Sequence, residues 1–255
     1  MARHLQLTAL ARFPLVEPGD DLAGQIIASA ADNDLRLATG DVLVIAQKIV
    51  SKAENRYAYL NRVTPSPRAI ELAHQADKDP RVMELILTEA TEVLRVRKGA
   101  VIVRHRNGYV HANAGIDQSN ISSDAGDPRV LLLPENPDAS AAELKAAIHQ
   151  RLGVTVDIVI NDSAGRPWRN GIVGFAIGTA GFDPVADRVG CPDLFGRALE
   201  ITQVAVADEL AAAGSLLMGQ GDEGLPVVLV RGASLTGSAA GSRALIRPLD
   251  QDLFR

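Results

Sequence analysis

Short apolar runs, several of them rich in β-branched residues, recur along the chain and predict its strands. The clearest is Val42–Ala46, which follows a Gly40-Asp41 turn and is apolar throughout, as expected of a buried strand. The glycines of Lys98-Gly99 and Asn107-Gly108 predict two tight hairpin turns between neighbouring runs. The other predicted strands are Leu5–Val16 with a turn at Phe13-Pro14, Glu92–Arg97, Ala100–His105, Gly108–His111, Val130–Leu133, Val154–Ile160, Ile172–Ile177, Ala198–Val204 and Pro226–Arg231.

Five helices are predicted between these strands, and three of them begin at a capping aspartate or a proline. They run from Asp20 or Asp21 to about Asn33, from near Pro67, after Asp79-Pro80, from about Ala139 to Leu152, and over roughly Ala205–Met218. Hairpins mixed with helices, rather than strict βαβ alternation, indicate an α+β fold with mixed or antiparallel sheets and flanking helices. The sequence has no repeat or low-complexity tract, and its 255 residues are enough for one large domain or two small ones.

Composition and charge exclude several classes of protein. The 255 residues are 47% apolar and 22% charged, which is ordinary for a soluble globular protein. With 26 basic and 31 acidic residues and no Lys/Arg block, no nucleic-acid surface is expected. The sequence has neither a run of about 18 apolar residues nor a signal-peptide core, so no membrane partner is expected and the expected location is the cytoplasm. The one cysteine, Cys191, is expected to be a packing residue in a reducing compartment.

Two polar segments carry the candidate metal chemistry. The first is His111–Asn120, which contains Asp117, and the second is Ile160–Gly171, which contains Asp162. Each places an acid beside hydroxyl and amide side chains directly after a strand-like run. Oxygen ligands of this kind suit Mg²⁺ or Mn²⁺ bound together with substrate phosphates. The alternative is that both segments are polar turns in which Asp and Asn cap the backbone.

Common nucleotide and hydrolase motifs give no other assignment. The Walker, HExxH, CxxC and GxSxG signatures are absent from the sequence. Gly219-Gln-Gly-Asp-Glu-Gly224 matches GxGxxG, but it follows a predicted helix and precedes a strand, which is the reverse of a Rossmann fold. Polar side chains at the ends of predicted elements remain as candidates: Gln47, Lys48, Lys52, Asp117, Asn120, Asp162, Ser163 and Gln220.

Three residues allow two interpretations each. Lys52, which lies just after the buried strand, is either a phosphate ligand or a solvated loop lysine. Trp168, in Arg166-Pro-Trp-Arg169, either packs a loop through cation–π contacts or anchors an anionic aromatic substrate. His111 borders a candidate site, and a structural role is favoured for it over a functional one.

Four strings of particular composition follow one another along the chain. They are Val44-Ile-Ala-Gln-Lys-Ile-Val-Ser-Lys-Ala-Glu54, Gly115-Ile-Asp-Gln-Ser-Asn120, Asn161-Asp-Ser-Ala-Gly-Arg-Pro-Trp-Arg169 and Thr202-Gln-Val-Ala-Val-Ala-Asp-Glu-Leu210. Together they resemble the coenzyme F420 γ-glutamyl ligases, and the likeness extends from Phe13-Pro-Leu-Val16 to Leu245-Ile-Arg-Pro248. The resemblance implies that residues 1–255 form a single unit, a two-part α+β protomer with its active site in a cleft between two subdomains. It also implies the stand-alone form, without the nitroreductase-like domain that some relatives append.

The ligands of that cleft are implied by the same resemblance. Two divalent ions, Mg²⁺ or Mn²⁺, are expected, one on Asp117 and Asp162 and the other on Ser163 and Gln220, and K⁺ is a further expected ion. Nucleotide contacts are expected from Phe13, Pro14, Leu15, Val16, Gln47, Lys48, Lys52, Asn120, Met218, Gly219, Gln220, Gly221, Asp222, Glu223, Gly224 and Leu225.

The implied activity is a GTP-dependent ligation in a homodimer. L-Glutamate is added to the lactyl-phosphate side of a deazaflavin F420 precursor, and later glutamates are added through γ-linkages. The expected intermediate is an acyl phosphate formed with the γ-phosphate of GTP, with release of GDP and phosphate, so no protein nucleophile is required. Two alternatives remain: a non-catalytic protein that binds a nucleotide or a flavin-like ligand, and another GTP-dependent amide ligase.

Three positions depart from the pattern of that family. Lys48 stands where relatives often have a small hydroxyl residue, and Asn55 stands where glycine is common. Asp187-Arg-Val-Gly190 differs from the expected Asp-x-Arg-Gly order, which concerns any anion contact of Arg188.

Overall fold

Helices and strands follow one another in the irregular order of an α+β protein, which confirms the predicted fold class. The computed structural model describes residues 4–252, so residues 1–3 and 253–255 of the predicted unit lie outside it. The strands are β1 (Gln6–Ala9), β2 (Val42–Ala46), β3 (Tyr57–Tyr59), β4 (Ala90–Arg97), β5 (Ala100–His105), β6 (Val110–Ala112), β7 (Arg129–Leu131), β8 (Asp157–Arg166), β9 (Arg169–Phe182), β10 (Ala186–Asp187), β11 (Gln203–Val204), β12 (Val227–Arg231) and β13 (Gly237–Ser238). The α-helices are α1 (Leu22–Asp32), α2 (Gln47–Ala53), α3 (Pro67–Ala76), α4 (Pro80–Glu89), α5 (Pro137–Leu152) and α6 (Val206–Met218). Short 3-10 helices lie at Leu60–Arg62, Asn113–Gly115, Ser242–Leu245 and Leu249–Gln251.

The central sheet is mixed and has the strand order β1-β12-β2-β8-β9-β13. Strands β2 and β8 run parallel, with Ala46 paired to Asn161, and the other neighbours in this sheet are antiparallel. Parallel neighbours have their carboxyl ends at the same edge of a sheet. The residues that follow β2 therefore lie beside the middle of β8.

Both faces of this sheet are covered, as the continuous apolar run of β2 requires. Leu43 and Ile45 point to one face, where α1 and α5 pack, whereas Val42 and Val44 point to the other face, against α6. A separate cluster of buried residues joins α3 and α4 to the three-stranded sheet β4-β5-β6. Whether this second part behaves as a separate subdomain remains a prediction.

Two local predictions were wrong. The segment Ile160–Gly171 is not a polar loop but the outer part of the β8–β9 hairpin, in which Asp162 pairs with Phe175. The composition of this segment is typical of a turn, but its pairing with the neighbouring strand decides its structure. Strand formation depends more on such context than on local preference. The predicted strand Leu5–Val16 ends at Ala9 because its partner β12 begins at Val227.

Two other differences concern short elements. The predictions contain no helix at Gln47–Ala53, whereas the structure has α2 there, and its first residue directly follows β2. Within the predicted strand Ala198–Val204, only Gln203–Val204 forms a strand, because β10 offers it just two partners. The predicted strand Val42–Ala46 and the capping of α1 by Asp21 are confirmed. No helix within residues 4–252 is long and apolar enough to cross a membrane.

Gly178 of β9 tests how closely α5 packs on the sheet. A β-carbon at this residue would lie 2.5 Å from the main-chain oxygen of Pro137, so Gly178→Ala forces the helix away. We expect the free energy of unfolding to fall by about 1–3 kcal/mol in urea denaturation. The matched control is Gly165→Ala in the same hairpin, where a β-carbon has no neighbour within 4 Å. Equal stability of the two variants would contradict this description of the packing.

Candidate active site

A cleft of about 690 Å³ opens at the edge where β2 ends. Its size is typical of a small-molecule site. Every residue that the sequence analysis gave as a nucleotide or metal ligand lines this cleft. A second groove, of about 780 Å³ between β1 and α6, is mostly apolar and contains none of them. The structure thus brings the predicted residues together, whereas their roles as ligands remain predictions.

Several separated stretches of chain build the cleft, among them residues 13–16 before α1. Helix α2 supplies Gln47 and Lys48 in its first turn, immediately after β2. Strand β8 supplies Asp162 and Ser163, held beside α2 by the parallel pairing described above. Asp117 is fixed by two main-chain hydrogen bonds of 2.9 Å to Leu131. The residues between α6 and β12 form another side of the cleft.

Asp117 is held by a cation and an amide. Its Oδ2 lies 2.6 Å from the Lys48 ammonium and accepts a hydrogen bond of 2.6 Å from the Gln47 amide. The Gln47 carbonyl in turn accepts from the hydroxyl of the fully buried Ser51, which fixes the orientation of the amide. Burial raises the pKa of the Asp117 carboxyl; Lys48 opposes this shift, and the charge of Asp162 adds to it. Both carboxylates line the same cleft.

Asp162 is supported by His111, for which a structural role was favoured from the sequence. The His111 Nε2 lies 3.0 Å from Asp162 Oδ2, and its Nδ1 lies 2.9 Å from the Ala112 carbonyl oxygen. The imidazole also packs against Phe175 and Tyr109. Burial disfavours the charged ring, but the hydrogen bond and charge of Asp162 outweigh it, so the pKa of His111 is raised. Its role is thus to support a site residue, a contact that no local sequence signal indicated.

Lys52 lies in the last turn of α2 rather than in a loop. It is half-buried in the cleft, and within residues 4–252 it forms no ion pair. Burial lowers the pKa of Lys52, and the positive charge of nearby Lys48 adds to the shift. A half-buried cation without an ion pair among the described residues favours the interpretation as an anion ligand over that as a solvated lysine.

The glycine-rich segment lies between α6 and β12, which confirms that its order is not that of a Rossmann fold. Gly219 has φ +72°, and a β-carbon there would collide with the Glu223 carboxylate. That carboxylate accepts a 2.8 Å hydrogen bond from the Gly221 amide. Asn120 donates a 2.9 Å hydrogen bond to the Gly221 carbonyl, so the segment is tied across the cleft to the loop that follows Asp117.

The donor atoms of the cleft fit a hard divalent cation. The predicted metal ligands offer two carboxylates, a hydroxyl and an amide oxygen; the Gln220 amide nitrogen donates to Ser215, which leaves its carbonyl oxygen for another partner. In the described part of the chain, no group of three or more His, Cys, Asp or Glu side chains could hold a metal by itself. This combination suits Mg²⁺ or Mn²⁺, which complete their coordination with water and phosphate oxygens.

Two residues singled out from the sequence lie outside the cleft. Trp168 is 93% exposed at the tip of the β8–β9 hairpin with φ +62°, and none of the cation–π contacts among the described residues involves it. Its interpretation as a packing residue is therefore wrong. Arg188 is exposed and does not line the cleft.

Asn55 adopts φ +54°, so it takes the left-handed conformation that glycine would otherwise provide.

Comparison with known proteins identifies one family. The family model described as F420-0:Gamma-glutamyl ligase matches residues 11–232. The chain is similar to the coenzyme F420:L-glutamate ligase of Methanothermobacter thermautotrophicus, with 44% identity over 98% of this chain and 99% of the relative. It is also similar to the protein of that name from Methanopyrus kandleri, with 47% identity over 94% of this chain and 93% of the relative.

Replacement of His111 tests its contact with Asp162. His111→Phe keeps an aromatic ring against Tyr109 and Phe175 but leaves a poorly exposed carboxylate without that partner. We expect a loss of about 1–3 kcal/mol in the free energy of unfolding, measured by chemical denaturation. His74→Phe on the exposed face of α3 is the control. If both variants unfold like the parent, the contact contributes no net stability.

Proposed function

The chain belongs to the F420-0:gamma-glutamyl ligase family, and from that membership we propose that it joins L-glutamate to a deazaflavin F420 precursor with GTP as co-substrate. One observation carries the proposal beyond the family: Asp117 and Asp162, from distant stretches of chain, line one cleft with Lys52 and the glycine-rich segment. Two carboxylates, together with a cation that forms no ion pair among the described residues, suit the binding of a metal-bound triphosphate.

The proposed reaction has two steps. In the first, a carboxylate oxygen of the precursor attacks the γ-phosphorus of GTP, the bond from that phosphorus to the bridging oxygen breaks, and GDP leaves with the electron pair. In the second, the amine of glutamate attacks the acyl carbon, the carbon–oxygen bond to phosphate breaks, and the amine proton passes to solvent. The products are an amide, GDP and phosphate.

Positioning and charge neutralisation account for most of the catalysis in such a phosphoryl transfer. Lys52 would bind phosphate oxygens of the nucleotide. Asp117 and Asp162, with Ser163 and Gln220, would hold two divalent ions, Mg²⁺ or Mn²⁺, whose charge lowers the barrier when bound. Gln47 and His111 keep the two carboxylates in place through the contacts described above. No protein nucleophile is needed in this scheme.

We include a homodimer in the proposal. The segment between β10 and β11 exposes three large apolar side chains, Leu194 at 98%, Phe195 at 84% and Ile201 at 89%. Apolar side chains grouped in this way are typical of an interaction surface. We expect light scattering after size-exclusion chromatography to give the mass of two chains.

The proposed activity is tested by mass spectrometry of the product formed from GTP, L-glutamate and the deazaflavin precursor. We expect release of GDP and phosphate only when L-glutamate and the deazaflavin precursor are both present. Binding of nucleotide without any product would identify a non-catalytic binder instead. Product formed from other acids or amines, but not from these, would identify a different GTP-dependent amide ligase.

Substitution of either carboxylate tests the metal sites. Asp117→Asn and Asp162→Asn keep the side-chain shape but remove the charge that binds a cation. We expect each to lower the turnover number by about 100-fold, because one lost charge contact costs about 3 kcal/mol in the transition state. Asp32→Asn, at the exposed end of α1, is the control and should keep the parent rate. Comparable turnover in all four proteins would refute the two-metal proposal.

Substitution of Lys52 tests the phosphate contact. Lys52→Met retains the aliphatic stem without the ammonium, and we expect the affinity for GTP, measured by calorimetry, to fall about 10- to 100-fold. Lys98→Met removes a lysine that is 84% exposed and is the matched control. Unchanged affinity in Lys52→Met would show that this lysine does not bind the nucleotide.

A further inference from the structure

The Lys48 ammonium is bound to oxygen atoms of the protein rather than free in the cleft. It lies 2.6 Å from Asp117 Oδ2 and donates a hydrogen bond of 3.3 Å to the main-chain carbonyl of Ser119. One carboxylate oxygen and one carbonyl oxygen are the ligand types that hard cations take in proteins. Lys48 therefore occupies a cation position rather than a free position beside the nucleotide.

The surroundings of Asp117 make this position important. The carboxylate is partly buried, and Asp162 adds a second negative charge in the same cleft. Among residues 4–252, Lys48 is the cation that forms an ion pair with Asp117, and the other donor to Oδ2 is the neutral amide of Gln47. Without Lys48, the carboxylate would lack a positive partner until a metal arrived.

We propose that the Lys48 ammonium is a built-in monovalent cation of this cleft, filling the place between Asp117 and the Ser119 carbonyl that a free K⁺ or NH₄⁺ ion would otherwise take. Lysine suits this role because its ammonium is a compact point charge. The first turn of α2 holds its main chain against the end of β2. Both atoms that it contacts lie on one short segment, so the same side chain also holds the loop that leads to Asn120.

The proposal separates Lys48 from Lys52 in function. Lys48 is bound to protein oxygens, whereas Lys52 forms no ion pair among the described residues. If Lys48 served only the nucleotide, its replacement would leave the nucleotide-free protein indifferent to the kind of monovalent ion present. The consequence for turnover rests on the proposed ligase activity, whereas the consequence for the free protein does not.

The first test uses the protein without nucleotide or divalent metal. Lys48→Ser leaves a space that a small cation can enter, and Lys48→Met fills the space with an uncharged chain. In choline chloride we expect the thermal midpoint of Lys48→Ser to fall by about 4 °C or more. KCl or NH₄Cl at equal ionic strength should restore most of that loss in Lys48→Ser but not in Lys48→Met.

Two controls accompany this measurement. Lys98→Ser removes an exposed lysine and should show no preference among the ions, like the parent. Lys48→Arg keeps a positive charge and should also show none, which covers the case in which Lys48→Ser does not fold. A Lys48→Ser protein that is equally stable in choline, K⁺ and NH₄⁺ would overturn the proposal, as would a Lys48→Arg protein that responds to K⁺.

The second test measures product formation with Mg²⁺, GTP, L-glutamate and the deazaflavin precursor. The parent should turn over equally fast in choline and in KCl. Lys48→Ser should lose about 100-fold in choline and regain at least about 10-fold in KCl or NH₄Cl. A parent that requires K⁺, or a variant that no ion rescues, would refute the built-in cation. If the parent forms no product at all, the ligase proposal fails, and the thermal measurement still decides the role of Lys48.

Discussion

The parallel pairing of β2 with β8 is the constraint on which the cleft depends. It sets Ala46 beside Asn161, so the first turn of α2 and the acidic part of β8 meet at one edge of the sheet. The apolar residues of both strands are buried. A shift of the pairing register by one residue would turn every side chain of β8 to the opposite face of the sheet. The register that buries Ile158 and Ile160 in one core is thus the register that brings Asp162 to the cleft.

Bringing two carboxylates together in a partly buried cleft has an electrostatic cost, which the fold offsets locally. Lys48 and Gln47 bind the Asp117 carboxylate, whereas His111 and the main-chain amide of Ser163 bind the Asp162 carboxylate. Each carboxylate therefore has its own donors before any ligand binds. Lys48 and Gln47 both bind Oδ2 of Asp117, so its Oδ1 is left for another partner.

The sequence was sufficient where local physics decides the structure. The apolar run of β2 and the capping of α1 by Asp21 depend on neighbouring residues, and both were predicted. The β8–β9 hairpin was not, because its outer half is polar and is held by cross-strand pairing with residues such as Phe175. The chemistry of Asp117 and Asp162 could be read from residue type. Their partners Lys48 and His111 could not, since contacts between distant stretches leave no periodic signal in the sequence.

A tethered cation differs from a dissolved one in a way that bears on this site. An ion from solution must lose translational freedom and part of its hydration to reach a partly buried carboxylate, and its occupancy follows its concentration. Lys48 has lost most of that freedom on folding, because α2 begins directly at the end of a buried strand. The positive charge beside Asp117 is then present at every salt composition. On this proposal, one side chain supplies from the fold a charge that would otherwise have to come from the solvent.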